Sequence, residues 1–389
     1  MLFDPASHER LTDTLWDEGR ARAGIQAIAE DAEAAFDEET LWPGHPADEV
    51  DEALAGLYLG ASGMIWALAQ LERAGFAELR RSWSPVALEL CDRYRATPDE
   101  SDEPIPSLWF GEAGILLVAH RLAPAEWQEE RLAEAVRANA ENPTRDLAWG
   151  SAGTMLAAQD VYERTGDEPW AELWRESARW LWDEWRDDLW AQEIGGRTSH
   201  YLGPAHGFAG NVLVLARGGL LDRERRRELE RRAADVLRAH AQLDGDCAQW
   251  PPTLEPPQPQ ATRTQWCHCA PGMVASLATI APGDDELTTL LVAGGELTSR
   301  AGPLAKGASL CHGTAGNGYA FLKLLERTGD ERWLDRARRF AMHAVEQVER
   351  DRETYGRGRY TLWTGDVGTA LYVASCLAAE AAFPTLDRW

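Results

Sequence analysis

The segment DERWLDRARRFAMHAVEQVER (residues 330–350) places Trp333, Ala337, Phe340, Ala341, Ala344, Val345 and Val348 at helical spacing. Arginines and glutamates fill the other face, which is the signature of a helix with one buried side. EPWAELWRESARWLWDEW (168–185) and RERRRELERRAADVLRAH (223–240) show the same pattern. Between such segments lie stretches of a second kind, made of small and apolar residues with no polar face, which read as helices buried on most sides. Alternating apolar and polar positions of the β type are nearly missing. The pattern predicts an all-α protein in which outer, amphipathic helices alternate with inner, buried ones.

A repeat sets the architecture. A Gly-x-x-Gly element recurs before each small, apolar run: YLGASGMIWAL with Gly60 and Gly63, LWFGEAGILLVA with Gly111 and Gly114, LAWGSAGTMLAA with Gly150 and Gly153. It returns in PAHGFAGNVLVL with Gly207 and Gly210, CHGTAGNGYAFL with Gly313 and Gly316, and LWTGDVGTALYV with Gly365 and Gly368. WCHCAPGMVASL takes the fifth place, with Cys269 where the first glycine stands elsewhere and Gly272 as the second. The seven units are spaced 39 to 62 residues apart, room for two helices each. An α/α toroid of seven helical hairpins, one domain spanning 1–389, is expected. Glycine at a corner permits positive φ and close backbone approach. No strand precedes these corners, so they are not dinucleotide loops. If all inner helices point the same way, their N-termini gather at one mouth and bring distant corner residues together.

Composition narrows the partners. A formal net charge of −25 opposes binding to nucleic acid or an anionic membrane, which requires a basic face. No apolar run approaches the roughly 20 residues of a membrane span. The polar, acidic N-terminal stretch lacks a secretory pattern, so a soluble, cytoplasmic protein is expected. DESDEPIP (99–106) reads as a solvated loop. Six cysteines in a chain without an export signal do not suggest a disulfide framework. Cys91 and Cys376 lie in apolar helical patterns and are expected in the core.

The chemistry lies at the corners. QWCHCAPG carries Cys267, His268 and Cys269, and SLCHGTAG carries Cys311 and His312. Cys267 and Cys311 hold comparable positions in consecutive repeats, so adjacent helix starts bring their sulfurs together, with His312 completing a face of three. Two thiolates and an imidazole suit zinc, and three protein ligands leave the fourth position open, as in catalytic sites. Packing of buried cysteines beside a polar neighbour is the plainer reading of the same residues. Asp146 in RDLAWG, His206 in PAHGFAG and Arg263 in RTQWC are the other corner groups with chemistry, and each also fits a hydrogen-bonded helix cap.

With seven corners along its whole length, and WCHCAPG followed by CHGTAGNGYAFL, the chain resembles the lanthionine synthetase C-like family. RGRYTLWTGDVGTALY, followed by FPTLD, is similar to the end of that family's stand-alone members. The resemblance implies an α/α toroid and zinc held by Cys267, Cys311 and His312. It places the family's central histidine on His206, its acid on Asp146 and its arginine on Arg263, with His268 at a position that is aromatic or histidine. The implied activity is addition of a thiol, from a peptide cysteine or glutathione, to dehydroalanine or dehydrobutyrine, forming a thioether. The expected partner is a peptide or protein bearing such residues. His206 would then be the general acid, Asp146 would orient a histidine or take the thiol proton, and Arg263 would meet the developing oxyanion. Cys269 departs from the family's glycine: a passive replacement, a fourth ligand closing the site, or a thiol near the metal. A zinc-containing scaffold protein and a carbohydrate-active toroid are the competing functions.

Overall fold

The computed structural model describes residues 2–50, 52–99, 101–254 and 264–389. Seven inner helices start at the seven corners: α2 (Ala61–Arg73), α4 (Glu112–Leu122), α6 (Ser151–Thr165), α8 (Phe208–Ala216), α10 (Ala270–Leu277), α12 (Thr314–Thr328) and α14 (Asp366–Ala378). Seven outer helices alternate with them: α1 (Glu18–Ala35), α3 (Ser84–Ala96), α5 (Glu126–Asn139), α7 (Glu168–Asp183), α9 (Arg223–His240), α11 (Asp285–Ala301) and α13 (Arg332–Tyr355). Each inner helix packs on the next in chain order, and α14 packs back on α2, which closes the ring. The fold is therefore the expected all-α toroid.

Burial follows the two sequence patterns. Every residue of α6 from Ser151 to Val161 is buried, as is the whole of α8. In α13 the seven apolar positions read from the sequence are all buried, along one face. Cys91 and Cys376 lie in the core. Two short antiparallel hairpins interrupt the helices, β1–β2 (Gln192–Ile194 with Arg197–Ser199) and β3–β4 (Gln242–Asp244 with Cys247–Gln249). Among the described residues no helix is long and apolar enough to cross a membrane.

The corners are built by close approach, and one expectation about them is corrected. The six first glycines have φ between −163° and −86°, so none of them supplies a positive φ. What they and their partners supply is the missing Cβ. The residue three before each first corner position touches two glycines at once. Its carbonyl oxygen lies against the second glycine of its own corner, closer than any real Cβ could sit. Its side chain lies against the second glycine of the next corner: Leu57 on Gly114, Leu108 on Gly153, Leu147 on Gly210, Pro204 on Gly272, Trp266 on Gly316, Leu310 on Gly368 and Leu362 on Gly63. A Cβ on any of these glycines would come within 3.2 Å of that neighbour. The relation runs round all seven corners without a break, so all inner helices begin at the same end.

The segment after α14 returns to the other ends of the inner helices. Arg217, following α8, donates to the Leu386 carbonyl at 2.6 Å, and Lys323 of α12 pairs with Asp387 at 2.9 Å. Phe383 lies against Trp266 and Trp363, with ring centroids 5.0 and 5.7 Å apart, and fills the space beneath the mouth. The acidic loop is only partly solvated: Ser101, Asp102 and Glu103 are exposed, but Asp99 accepts the amides of Ala55 and Gly56. Burial raises its carboxyl above the usual range.

Candidate metal centre

A belt of backbone hydrogen bonds links the corners at the mouth. Its members are the residues two before the first position at six of the seven corners. Ala205 N–H donates to Cys267 O (3.4 Å), Cys267 N–H to Cys311 O (3.1 Å), and Cys311 N–H to Trp363 O (2.9 Å). Trp363 N–H then donates to Tyr58 O (3.2 Å) and Tyr58 N–H to Trp109 O (2.9 Å). Cys267 and Cys311 are thus equivalent residues of adjacent corners, held side by side by their own backbones. Their side chains and that of His312 bring two sulfurs and a ring nitrogen within 4.8 Å of one another. Among the described residues this is the one group of three or more such side chains so placed. Zinc, at about 2.3 Å from sulfur and about 2.0 Å from nitrogen, bridges donor atoms at that separation. The residues present fit the ion.

The sulfurs are not equivalent electrostatically. A hydrogen bond from Cys311, aided by His268 and His312, holds the Cys267 thiol well below its usual range despite burial. Burial and the Cys267 charge push the Cys311 thiol well above it. Gln265 Nε2 donates to Cys267 Sγ at 2.9 Å, and His268 Nδ1 lies 3.5 Å from the same sulfur. Tyr58, hydrogen-bonded to the Cys311 sulfur, is raised well above the usual phenol range by burial. Trp266, next to Cys267 in the chain, is fully buried.

A second pair sits in the two preceding corners. Asp146, fully buried, accepts the Trp149 and Gly150 amides at 2.9 and 2.8 Å through Oδ1, which also takes the Thr144 hydroxyl at 3.0 Å. Its Oδ2 lies 3.0 Å from His206 Nδ1. An acceptor-only carboxylate sets that nitrogen as the donor and turns Nε2 away from Asp146. The imidazole stacks on Trp149 at 5.2 Å with its side chain 36% exposed, so it remains open to the mouth. Of the two roles open to Asp146, orienting a histidine is the one its contacts match. Ala205, next to His206, is the residue bonded to Cys267, so the pair and the sulfur cluster share one rim. Arg263 lies outside the described residues.

The family model for lanthionine synthetase C-like proteins matches residues 53–387. The chain belongs to the lanthionine synthetase C-like family. It is 30% identical over 209 residues to a Danio rerio protein named glutathione S-transferase LANCL1, a match covering 51% of this chain and 47% of that one. It is 36% identical over 88 residues to the Arabidopsis thaliana LanC-like protein GCL1, covering 22% and 20% of the two chains. The alignments therefore span about half or less of these curated relatives. Among solved structures, nisin cyclase aligns with a TM-score of 0.64 at 17% identity, over 92% of this chain and 94% of its own, which shows the shared toroid.

As a lanthionine synthetase C-like protein, the chain departs from the family's glycine at Cys269, and the structure shows what that involves. Cys269 caps α10 with φ 80° and ψ −172°, a region occupied essentially by glycine alone. Its sulfur is not a member of the converging ligand group, which leaves the fourth-ligand reading unsupported. The strained turn is fixed from both sides. Gln249 Oε1 accepts the Ala270 amide at 2.7 Å, just past Cys269, while its Nε2 reaches Thr264 Oγ1 at 3.3 Å. His8, from the N-terminal arm, accepts the Thr264 amide at 3.3 Å through Nε2. Tyr58, Gln265, Gln249 and His8 went unrecognised in the sequence. Only Tyr58 carried a signal there: it stands two residues before Gly60, the register of Cys267 and Cys311 before their own corners.

Proposed function

We propose that this protein adds a thiol to a dehydroalanine or dehydrobutyrine residue of a peptide or protein, forming a thioether, with zinc held by Cys267, Cys311 and His312. The observation that carries the reading is the meeting, on one rim, of two sulfurs and an imidazole with the Asp146–His206 pair. Zinc held by Cys267, Cys311 and His312 would supply a Lewis acid able to ionise an incoming thiol, which is otherwise only a few per cent ionised at neutral pH with a pKa of about 8.5. Full ionisation alone is a gain of roughly 30-fold, about 2 kcal/mol. Orientation of olefin and sulfur offers more, about 7–11 kcal/mol where the geometry is tight.

The chain's own groups then handle the proton. As the carbon–sulfur bond forms, the olefin's electron pair moves onto the adjoining carbonyl and leaves an enolate. His206, with Nδ1 engaged by Asp146, delivers a proton from Nε2 to the α-carbon, and the proton lost by the thiol restores the balance. Glutathione as the thiol draws support from the name of the Danio rerio relative, and a peptide cysteine from that of nisin cyclase.

The test is to incubate purified protein with a dehydroalanine peptide, with and without glutathione, and to weigh the product. Thioether is expected from the wild type. Cys311→Ala should lose both zinc and product. Retained turnover in a zinc-free Cys311→Ala protein would refute the mechanism.

A further inference from the structure

Three buried polar side chains on the inner helices do something that their equivalents elsewhere do not. Counting from the first corner position, the fourth residue along each inner helix is Met64, Ile115, Thr154, Asn211, Met273, Asn317 or Thr369. Asn211 Nδ2 donates to the Arg145 carbonyl at 2.9 Å, Asn317 Nδ2 to the Thr264 carbonyl at 2.7 Å, and Thr369 Oγ1 to the Ala308 carbonyl at 3.0 Å. All three side chains are fully buried. In every case the acceptor stands five residues before the first position of the preceding corner.

The corners reached in this way are those of Asp146, of Cys267 and of Cys311 with His312. The register is occupied by apolar Met64, Ile115 and Met273 at three of the other four helices, and these have nothing to donate. Thr154, at the fourth, turns its hydroxyl to Ser151 of its own helix at 3.1 Å. The toroid therefore packs without a bond of this kind between most corners. Asparagine is also a poor choice inside a buried helix. Burying an amide is costly for each group left unpaired, and among the described residues the Oδ1 atoms of Asn211 and Asn317 have no hydrogen-bond partner. The two asparagines thus bury an unpaired oxygen that an apolar residue would not, in exchange for the bond to the neighbouring corner.

We propose that Asn211, Asn317 and Thr369 are positioning residues, each fixing, from the next inner helix, the neighbouring corner that carries the chemistry. The proposal rests on the metal reading above in one respect: Asn317 and Thr369 set the ligand corners in binding geometry before metal arrives. Arg145 immediately precedes Asp146, so Asn211 fixes the carboxylate that turns His206. The three bonds hold three backbones to within the tolerance that three converging side chains need.

The experiment compares Thr369→Val, Asn317→Leu and Asn211→Leu, with Thr154→Val as the control in the same register. Zinc affinity is read by competition with a coloured chelator, ligand geometry by the sulfur-to-cobalt charge-transfer bands of the cobalt-loaded protein, and loop order by amide exchange of residues 264–270 and 308–313 in metal-free protein. Thr369→Val and Asn317→Leu should each weaken zinc by about 10- to 100-fold, shift the cobalt bands and speed exchange in the loop concerned. Thr369→Ser should restore all three readouts. Asn211→Leu should leave zinc affinity within about twofold and lower kcat more than it alters KM, and Thr154→Val should resemble the wild type. Wild-type zinc affinity and exchange in both Thr369→Val and Asn317→Leu would overturn the proposal. Should Asn317→Leu fail to fold, the nearly isosteric Thr369→Val decides alone. A wild type that binds zinc but makes no thioether would sink the proposed reaction while leaving this ordering of affinities and exchange rates to be judged on its own.

Discussion

The amide of Cys267 donates to the carbonyl of Cys311 at 3.1 Å, so the two proposed ligands are joined through the backbone as well as through their sulfurs. Residues 44 positions apart in sequence are thereby held like neighbours in a sheet, although each lies at the start of a helix. Their relative position depends on the packing of α10 on α12, which the glycine contacts fix. Site geometry and ring geometry are one problem, and the following expectations come from treating them so.

His206→Asn and Asp146→Asn should both keep zinc and lose rate, by about 100- to 10,000-fold. Asparagine at 146 presents an amide N–H where the carboxylate accepted, which favours the opposite imidazole tautomer. Metal analysis together with single-turnover product formation checks this. Loss of zinc in either variant would mean that the pair supports the metal rather than the proton transfer.

Gly316→Ala should destabilise the protein by about 1–3 kcal/mol or more, because its Cβ meets the Leu310 carbonyl and, at 3.0 Å, Trp266. Trp266 adjoins Cys267, so zinc affinity should fall as well. Gly283→Ala, where nothing lies within 4 Å, should stay within about 1 kcal/mol of the wild type. Denaturant unfolding of the two variants side by side gives the comparison, and equal stabilities would contradict the close-approach account of the corners.

Cys269→Gly should raise stability by about 1–3 kcal/mol, by relieving a backbone conformation that costs a side-chain-bearing residue that much. Zinc binding should persist, since the sulfur of Cys269 is outside the ligand group. A lowered thermal midpoint would show that the thiol makes compensating contacts worth more than the strain.

Asp366 should impose a pH dependence on stability. Burial, opposed by Arg352 and the Arg359 amide, lifts its carboxyl to about 6 from a usual value of 3.8. The folded state then holds the proton more tightly than the unfolded chain, so stability is lost as pH rises from about 4 through about 6. The shift corresponds to roughly 3 kcal/mol. Asp366→Asn still accepts the Arg359 amide and should remove that slope. The difference in unfolding free energy between wild type and variant, measured from pH 4 to pH 7, should grow in the variant's favour. A constant difference would discard the assignment.

The ring was legible because its rule is local: a glycine three residues after another, ahead of a run with no polar face, at six places, and a cysteine before the glycine at a seventh. The sulfur pair was legible for the same reason, since Cys267 and Cys311 precede their corners by equal steps. Other features depend on where the chain goes next. The expected positive φ of the first glycines failed because crowding by carbonyl groups, not backbone rotation, excludes a side chain there. Cys269 shows the opposite, a positive φ where the residue type gave no warning. Gln249 and His8 meet the loop from Thr264 to Ala270 only because a hairpin and the segment before α1 pass over it, and no periodicity encodes such a crossing. Tyr58 was readable in principle, from the register that it shares with two cysteines.

The packing of α1 on α14 has a consequence for how the chain acquires its shape. Helix α1 shelters α14, nearly the whole sequence away, and Thr12 of the segment before α1 bonds to His343 at a sequence separation of 331. Until synthesis reaches that point, Ile25 and Ile28 have no place to hide from water. Contacts so remote in sequence form slowly. The hoop is shut by segments far apart in the chain, and until that seam closes the apolar face of α1 stays open to water.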